Sequence, residues 1–388
     1  MNDNVENAVV SIAKWYHRIF RCGCYSDSVK KILVVRFEHL GDMVCTVPFL
    51  RELRNKYTSA EITLVCSPEV YNYVELMPYT DKIITYKKIT GGKHLFERSV
   101  VSVYKFVQHN FHGINFDMVF TPEYPTPAIV KLFAYFVSAK KVHCFHKKSD
   151  DIYITDSMYK GKIFPARHAV DRILDLLRAV GGKINRDDLE VWYDEDDLQK
   201  VKTLFTEAGI LEHKIKIAVF LSTSAAYKDW DVRNYYEVSK MLQEKFDAQI
   251  ILLGAKSDTE EYGRQFMGML PTAYNFIGKT SIRQTTAVLD NVDFYLGGDT
   301  GTLHLAAACH IPGVVITKDH IGASGGEVGS PMDMFFPWKS PIEVMRPQKP
   351  LPGCERQCSK TYAHCINQIT TQEVFGKMAN IIGSYSKK

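Results

Sequence analysis

Three loops of this sequence combine charged residues with glycine or hydroxyl residues directly after a short apolar run. In the segment 293–317, DFYLGG leads into Asp299, Thr300 and Gly301 and then into the helical pattern TLHLAAA. The N–H groups of a helix start attract an anion, and a glycine lets it approach closely. His304 follows in the first turn, where it either faces the anion or is a satisfied structural histidine. We therefore predict a phosphate site at this helix start.

The second loop, STSAAYKDWD, follows the apolar run KIAVFLS. Thr223 and Ser224 are small hydroxyl residues that expose backbone N–H groups, and Lys228 adds a positive charge on a flexible stem. Together they predict a diphosphate cradle, with a solvated loop as the alternative. Further along, LLGAKSDTEE places Asp258 after another apolar run, where an acid commonly binds ribose hydroxyls.

The third loop, EHLGD, follows KILVVRF and contains Gly41 and Asp42. Gly41 permits a close backbone turn, and Asp42 lies where a helix begins. Its carboxylate is either a helix N-cap or a general base that takes a proton from an attacking hydroxyl. The loop lacks the GxGxxG pattern, so it does not predict a dinucleotide site.

These loops belong to two successive series of short apolar runs alternating with helical patterns. Runs such as KILVVRF, AEITLVC and DKIITY begin the first series, and KIAVFLS, AQIILLG, DFYLGG and GVVIT belong to the second. Such runs are typical of parallel strands buried on both faces. We predict an α/β protein with two Rossmann-like domains facing each other across a cleft. Pro48 is expected in the first turn of its helix, and the acidic stretch 187–197 is expected to link the domains.

Composition limits the classes of function. The net charge of +4 over 388 residues provides no dense basic face for nucleic acid. No run of about eighteen apolar residues predicts a transmembrane helix. Since the N-terminus lacks a secretory signal, we expect a cytoplasmic protein. The segment 12–21 has an amphipathic pattern, which predicts a helix packed on the protein or lying peripherally on the inner membrane surface.

A C-terminal group of cysteines contains possible metal ligands. Three thiols and one imidazole suit zinc or iron, and they belong to Cys354, Cys358, His364 and Cys365. The C-x3-C-x6-C spacing does not match a common zinc finger. We therefore predict no metal and expect a buried or redox-sensitive cluster.

In their order along the chain, these segments resemble the heptosyltransferases of glycosyltransferase family 9, which have the GT-B fold. The likeness extends from about Lys31 to Ile382 and is carried by KILVVRFEHLGDMVCTVPFLRELRNKY, HAVDRILDLLRAVG, KDW and GGDTGTLHLAAA. It implies an inverting transferase that needs no metal and no cofactor. The implied reaction moves a heptose from ADP-heptose onto a lipopolysaccharide-core or related glycan or glycolipid acceptor.

The resemblance also implies roles for individual residues and domains. Asp42 is the implied catalytic base, and Arg36 and Gly41 are assigned to the acceptor. The donor residues are Thr223, Ser224, Lys228, Asp258, Asp299, Thr300, Gly301 and His304. Residues 1–29 form an extension, 30–185 the acceptor-binding domain, and 186–388 the donor-binding domain with the cysteine segment and a last helix.

The family pattern is not matched everywhere. Residues 87–115 do not align with it, and this leaves the acceptor's identity open. One alternative is a GT-B transferase or epimerase that uses another nucleotide sugar. A second alternative is a non-catalytic protein that binds a nucleotide sugar. A nicotinamide-dependent dehydrogenase is disfavoured, because neither half has the glycine fingerprint.

Overall fold

The computed structural model describes residues 28–91, 93–123, 126–145, 156–157, 167–223, 225–323, 331–356, 358 and 360–385. Within these residues the chain has an α/β fold that divides into two compact units, each with its own parallel sheet. Among the described residues, the first unit extends to Asp187 and the second begins at Asp188, except that residues 167–169 group with the second.

The elements alternate along the chain as a parallel α/β fold requires. The described strands are β1 (Lys31–Arg36), β2 (Glu61–Cys66), β3 (Lys82–Thr85), β4 (Asn115–Thr121), β5 (Ser138–Cys144), β6 (Asp156–Ser157), β7 (Lys216–Phe220), β8 (Gln249–Leu253), β9 (Tyr274–Asn275), β10 (Phe294–Gly298), β11 (Gly313–Ile316) and β12 (Ile342–Met345). The described helices are α1 (Leu40–Lys56), α2 (Tyr71–Val74), α3 (Leu95–Phe111), α4 (Ala128–Phe136), α5 (Ala169–Ala179), α6 (Glu195–Ala208), α7 (Val232–Phe246), α8 (Lys256–Met269), α9 (Ile282–Leu289), α10 (Gly301–Ala308), α11 (Pro331–Phe335) and α12 (Thr371–Tyr385).

The first sheet has the order β3-β2-β1-β4-β5-β6, and its strand pairs are parallel. Because helices cover both faces of such a sheet, its central strand needs apolar side chains in both directions. The run from Ile32 to Val35 is accordingly fully buried. The strand order reverses between β1 and β4. In open parallel sheets, ligands bind outside the carboxyl ends of the strands at such a switch point.

The second sheet repeats this topology, with the order β9-β8-β7-β10-β11-β12 and parallel pairing. Its switch point lies between β7 and β10. Gly313 opens β11 so close to its neighbour that an added Cβ would lie 2.1 Å from the backbone oxygen of Tyr295. Only glycine permits this strand pairing, which keeps the end of β10 in register.

Each unit has its own core. In the first, the ring of Phe37 lies 5.0 Å from Phe133 and 5.3 Å from Tyr86, which buries the strand end beside β1. In the second, Trp230 is buried and its indole N–H donates to the backbone oxygen of Ile369 at 3.1 Å. This bond attaches the chain just before α12 to the loop that follows β7.

Several sequence predictions are wrong in detail. Pro48 lies inside α1 instead of in its first turn, because the helix already begins at Leu40. The acidic stretch 187–197 is only partly a linker, since Asp194 caps α6 and the helix begins at Glu195. β12 was not predicted at all. Residues 1–27, including the amphipathic segment 12–21, lie outside the described residues. No described helix is both long enough and apolar enough to cross a bilayer.

Candidate functional site

The first unit places a buried arginine at its switch point. Arg36 is the last residue of β1, and its guanidinium donates from Nη1 to the backbone oxygen of Pro122, beyond the end of β4, at 2.6 Å. Nη2 donates to Oδ1 of Asp42 at 3.2 Å, and Nη1 lies 2.7 Å from a carboxylate oxygen of Glu38. Arg36 thus joins β1, the loop after it, the start of α1 and the end of β4.

Asp42 is the third residue of α1, and the N-cap position belongs to His39. The alternative that Asp42 caps the helix is therefore wrong. Its side chain is partly exposed, whereas that of Arg36 is buried. The structure thus brings the predicted catalytic acid and the predicted acceptor residue Arg36 into direct contact, with Gly41 buried beside them.

Two further acids surround Arg36. The backbone N–H of Phe37 donates to Oε1 of Glu123, which is fully buried. Burial raises the pKa of Glu123, although the charge of Arg36 opposes this. Burial also raises the pKa of Glu38 from 4.5 to about 7, opposed by Arg36 and reinforced by the charge of Asp42. The site therefore holds a cation and a carboxyl group that titrates near neutral pH.

The second unit organises its switch point around Asp229. The loop after β7 folds back so that the backbone N–H of Thr223 donates to Oδ1 of Asp229 at 2.6 Å. The hydroxyl of Tyr262, on α8, donates to Oδ2 at 3.1 Å. Burial raises the pKa of Asp229, and these hydrogen bonds oppose the rise. This arrangement fixes the backbone on which Lys228 is carried.

Lys228 and Asp299 lie close together where the loops after β7 and β10 approach each other. The Nζ atom of Lys228 lies 3.8 Å from Oδ2 of Asp299, which directly follows β10. Burial raises the pKa of Asp299, and the charges of Lys228 and His304 partly offset that effect. Gly298 lets the two loops approach, since an added Cβ would lie 2.9 Å from the Thr223 methyl group. The result is a positively charged side chain held beside the start of α10.

Helix α10 begins at Gly301, with Thr300 as its N-cap. The hydroxyl of Thr300 accepts from the backbone N–H of Thr302 at 3.3 Å and lies 2.6 Å from the Thr302 hydroxyl. Thr300 therefore stabilises the helix start as a cap, a role that the sequence did not predict. His304 is buried in the first turn, with its ring edge-on to Phe335 at 6.4 Å.

Two of the predicted donor residues cannot be placed in this site. Ser224 lies outside the described residues. Asp258 lies in the first turn of α8, which begins at Lys256, and its side chain is outside the described part of the chain. The backbone N–H of Gly278 donates to the oxygen of Gly254 at 2.9 Å, so the loops after β8 and β9 lie side by side.

Several charged residues of these two sites were not predicted from the sequence. Each follows a strand at its carboxyl end, and that position is the signal that could have identified them. They are Glu38, Glu123, Asp229, Lys318 and Asp319. The charges of Lys318 and Asp319, after β11, act on Asp299.

The comparisons with known proteins agree with this architecture. The sequence pattern of Glycosyltransferase family 9 (heptosyltransferase) matches residues 112–319, more than half of the chain. Lipopolysaccharide heptosyltransferase 3 of Escherichia coli K12 is 22% identical over 289 residues, which cover 72% of this chain and 81% of that protein.

Two solved structures share the fold. A family 9 glycosyltransferase from Veillonella parvula superposes with a TM-score of 0.72 at 17% identity, covering 92% of this chain and 98% of that one. ADP-heptose lipopolysaccharide heptosyltransferase II of E. coli gives a TM-score of 0.65 at 17% identity, covering 92% and 99%. The fold is therefore GT-B, and the chain belongs to glycosyltransferase family 9, the heptosyltransferases, and is a glycosyltransferase.

Proposed function

We propose that this protein transfers a heptose from ADP-heptose onto a lipopolysaccharide-core or related glycan acceptor, with inversion at the sugar carbon. In this proposal residues 30–185 bind the acceptor and residues 186–388 bind the donor. The observation that carries it is the convergence of Lys228, Asp299 and the start of α10 at the switch point of the second unit. The family membership makes a nucleotide-activated heptose the ligand to expect there.

On the donor side, the reaction breaks the bond between the sugar carbon and the diphosphate oxygen. Negative charge then develops on the departing ADP. Lys228 and the N–H groups at the start of α10 are the groups that we assign to stabilise it. Asp299 holds Lys228 in place through the 3.8 Å ion pair. Because these groups supply the positive charge, the proposed chemical step needs no metal ion.

The nucleoside would lie further along the same edge of the second sheet. The loops after β8 and β9 are in contact there through Gly254 and Gly278. Asp258, in the first turn of α8, is the acid that we assign to the ribose hydroxyls. Thr223 and Ser224 complete the diphosphate side of this proposed subsite, and His304 and Gly301 its sugar side.

On the acceptor side, Asp42 takes the proton of the attacking hydroxyl while the hydroxyl oxygen bonds to the sugar carbon. The Arg36 hydrogen bond uses Oδ1 of Asp42, and we assign Oδ2 to the acceptor. A single displacement of this kind, with the base on the face opposite the leaving diphosphate, inverts the configuration. Arg36 acts as a positioning residue, because Pro122 and Glu38 fix it on the other side.

The first experiment is a donor screen. Purified protein is incubated with ADP-heptose and with UDP-, GDP- and CDP-sugars, and the melting temperature and nucleotide release are measured. We expect ADP-heptose to raise the melting temperature and to be turned over when a glycan acceptor is present. Selective stabilisation by another nucleotide sugar would replace the heptose assignment, and no response to any donor would contradict the transferase proposal.

Two variants separate the two halves of the mechanism. Asp42→Asn should lower kcat by about 10²–10⁴ with unchanged donor affinity, since general-base catalysis contributes about that much. Its matched control is Asp247→Asn, at an exposed helix end in a left-handed conformation that asparagine also adopts. Full activity in Asp42→Asn would remove that residue from the base role.

Lys228→Ala should instead weaken ADP binding about tenfold or more, because a charged contact to phosphate contributes about 1.5–3 kcal/mol. The control is Lys240→Ala, on the exposed face of α7. Unchanged ADP affinity in Lys228→Ala would contradict the diphosphate cradle.

A lipopolysaccharide-core acceptor is a glycolipid, so we propose that the protein works in the cytoplasm with peripheral contact to the inner membrane surface. Co-sedimentation with acceptor-containing vesicles tests this contact. Equal sedimentation with vesicles lacking the acceptor would show that lipid alone is recognised.

A further inference from the structure

Four side chains with metal-binding atoms meet in the segment between β12 and α12. They belong to Cys354, Cys358, His364 and Cys365, and their sulfur and nitrogen atoms all lie within 4.8 Å of one another. The three cysteines are buried free thiols. The sequence spacing alone disfavoured a metal, but spacing does not describe how the chain folds between the cysteines.

The distances in this cluster suit a single tetrahedral cation. Nδ1 of His364 lies 3.6 Å from the sulfur of Cys354, 4.0 Å from that of Cys358 and 3.5 Å from that of Cys365. Metal–sulfur bonds of about 2.3 Å and metal–nitrogen bonds of about 2.0 Å at the tetrahedral angle separate sulfur from nitrogen by about 3.5 Å. A neutral imidazole nitrogen can accept only one S–H hydrogen bond, whereas all three sulfurs surround this one.

The ligand set also indicates what kind of site this is. Three thiolates and one imidazole are the ligands of zinc and of iron, and they disfavour magnesium and calcium, which prefer oxygen. Four protein ligands complete a tetrahedron and leave no position for water or substrate. A cation held in this way stabilises structure and takes no direct part in bond making.

The cluster is attached to the loop that follows β11. The Nζ atom of Lys318 donates to the backbone oxygen of Cys358 at 3.0 Å. A ring nitrogen of His320 lies 3.0 Å from the backbone oxygen of Cys354. Two of the four ligand residues thus hold the loop through their carbonyl groups.

Arg346, just after β12, holds the same loop from the other side. Its guanidinium donates to the backbone oxygens of Asp319 and His320 at 2.8 and 2.7 Å. The charges of Lys318 and Asp319 reach Asp299, the acid at the end of β10. The cysteine segment therefore holds Lys318 and His320, the residues on either side of Asp319.

We propose that Cys354, Cys358, His364 and Cys365 bind one structural divalent cation, zinc or ferrous iron, which fastens this segment beneath the 318–320 loop. The inference rests on these ligand atoms and does not depend on which sugar the protein transfers. Binding would deprotonate the thiols, and the displaced protons pass to solvent.

The test begins with metal analysis of the full-length protein, purified without oxygen and without a metal-affinity step. Inductively coupled plasma mass spectrometry should find about one equivalent of zinc or iron per chain. The Cys354→Ser/Cys365→Ser double variant should lose this metal. Cys309→Ser is the matched control, since it removes a partly buried thiol outside the cluster, and it should keep the full equivalent.

A second measurement applies to the wild-type chain in case the double variant does not fold. The metal is removed with a chelator under reducing conditions, and Co²⁺ is added. Tetrahedral thiolate coordination should produce intense visible absorption and a sulfur-to-cobalt charge-transfer band. The metal-free protein should melt at a lower temperature and exchange amide hydrogens faster in the 318–320 loop and the cysteine segment.

Wild-type protein that carries neither zinc nor iron and that shows no tetrahedral cobalt spectrum would overturn the proposal. A folded double variant that retains a full equivalent would do the same. Bound metal with unchanged hydrogen exchange at 318–320 would overturn the fastening role.

Discussion

Replacing Arg36 with methionine tests whether one buried cation holds the first switch point together. The substitution keeps an unbranched side chain of similar length and removes the positive charge. Arg36 and Glu123 are buried, and the charge of Arg36 acts on the Glu123 carboxylate. Removing the cation leaves this buried carboxylate without a compensating charge, which costs about 3–5 kcal/mol. Glu38 is 32% exposed in its side chain and adds less to this cost. We expect the variant to lose about 3–5 kcal/mol of unfolding free energy at pH 8.

The unfolding free energy that Arg36→Met loses should depend on pH, because the substitution changes the pKa values of the nearby carboxyl groups. The pKa of Glu38 is raised from 4.5 to about 7, so between these values the folded state binds more protons than the unfolded state. Stability therefore falls as the pH rises through this window. Without Arg36 the folded pKa values of Glu38 and Glu123 rise further, because Arg36 is the main influence that lowers them. The variant should thus lose less stability at pH 5 than at pH 8, since protonated carboxyl groups do not need the cation.

The assay is urea unfolding followed by far-UV circular dichroism at pH 5 and pH 8. Lys82→Met is the control, because its ion pair with Glu61 is exposed and should contribute below about 1 kcal/mol. Adding Glu123→Gln to Arg36→Met should restore part of the lost stability by removing a buried charge. A loss below about 1 kcal/mol at pH 8, or an equal loss at both pH values, would refute this account of the site.

Three further substitutions test the second unit, each by thermal melting. Trp230→Phe should lose about 1–3 kcal/mol, because the buried backbone oxygen of Ile369 is left without its indole donor. Asp229→Asn should lose about 1–3 kcal/mol, since its carboxylate accepts from the backbone of Thr223 and an amide offers one acceptor in place of two. Gly298→Ala should lose about 1–3 kcal/mol and weaken ADP binding, because the new methyl group meets Thr223 at 2.9 Å.

Two of these substitutions have matched controls in the same unit. Gly268→Ala, in helix α8, has open space around the added methyl group and should be neutral or slightly stabilising. An equal loss in Gly268→Ala and Gly298→Ala would show that the contact with Thr223 is not the cause. Asp231→Asn keeps a good N-cap for α7, so a loss as large as that of Asp229→Asn would argue against the buried hydrogen bonds.

Much of the fold could be predicted because its signals are local. Continuous apolar runs such as KILVVRF predict buried parallel strands, and the alternation with helical patterns predicts an α/β class. The signal for the start of α10 is equally local, since a glycine-rich turn leads directly from an apolar run into the helix. Asp42 and Lys228 were identified as candidates because both follow such strands within a few residues.

Other features depend on contacts that no local pattern encodes. Glu123 lies near Arg36 only because β4 pairs with β1. The two residues are far apart along the chain, so no local sequence pattern predicts that they are neighbours. Pro48 was expected in the first turn of α1, but the helix tolerates it in its interior. The missed strand β12 is short and half exposed, so its apolar pattern is weak.

The sequence by itself determined the α/β class, the loops that carry charge and the residue types of the cysteine segment. The tertiary structure decided which of these residues meet. In the folded chain three acidic residues lie close to Arg36, and Lys228 lies beside Asp299. Three cysteine thiols lie around the imidazole of His364. The physical reason is that strand order and loop closure set distances between residues far apart in sequence, whereas periodicity and turn chemistry act over a few residues only.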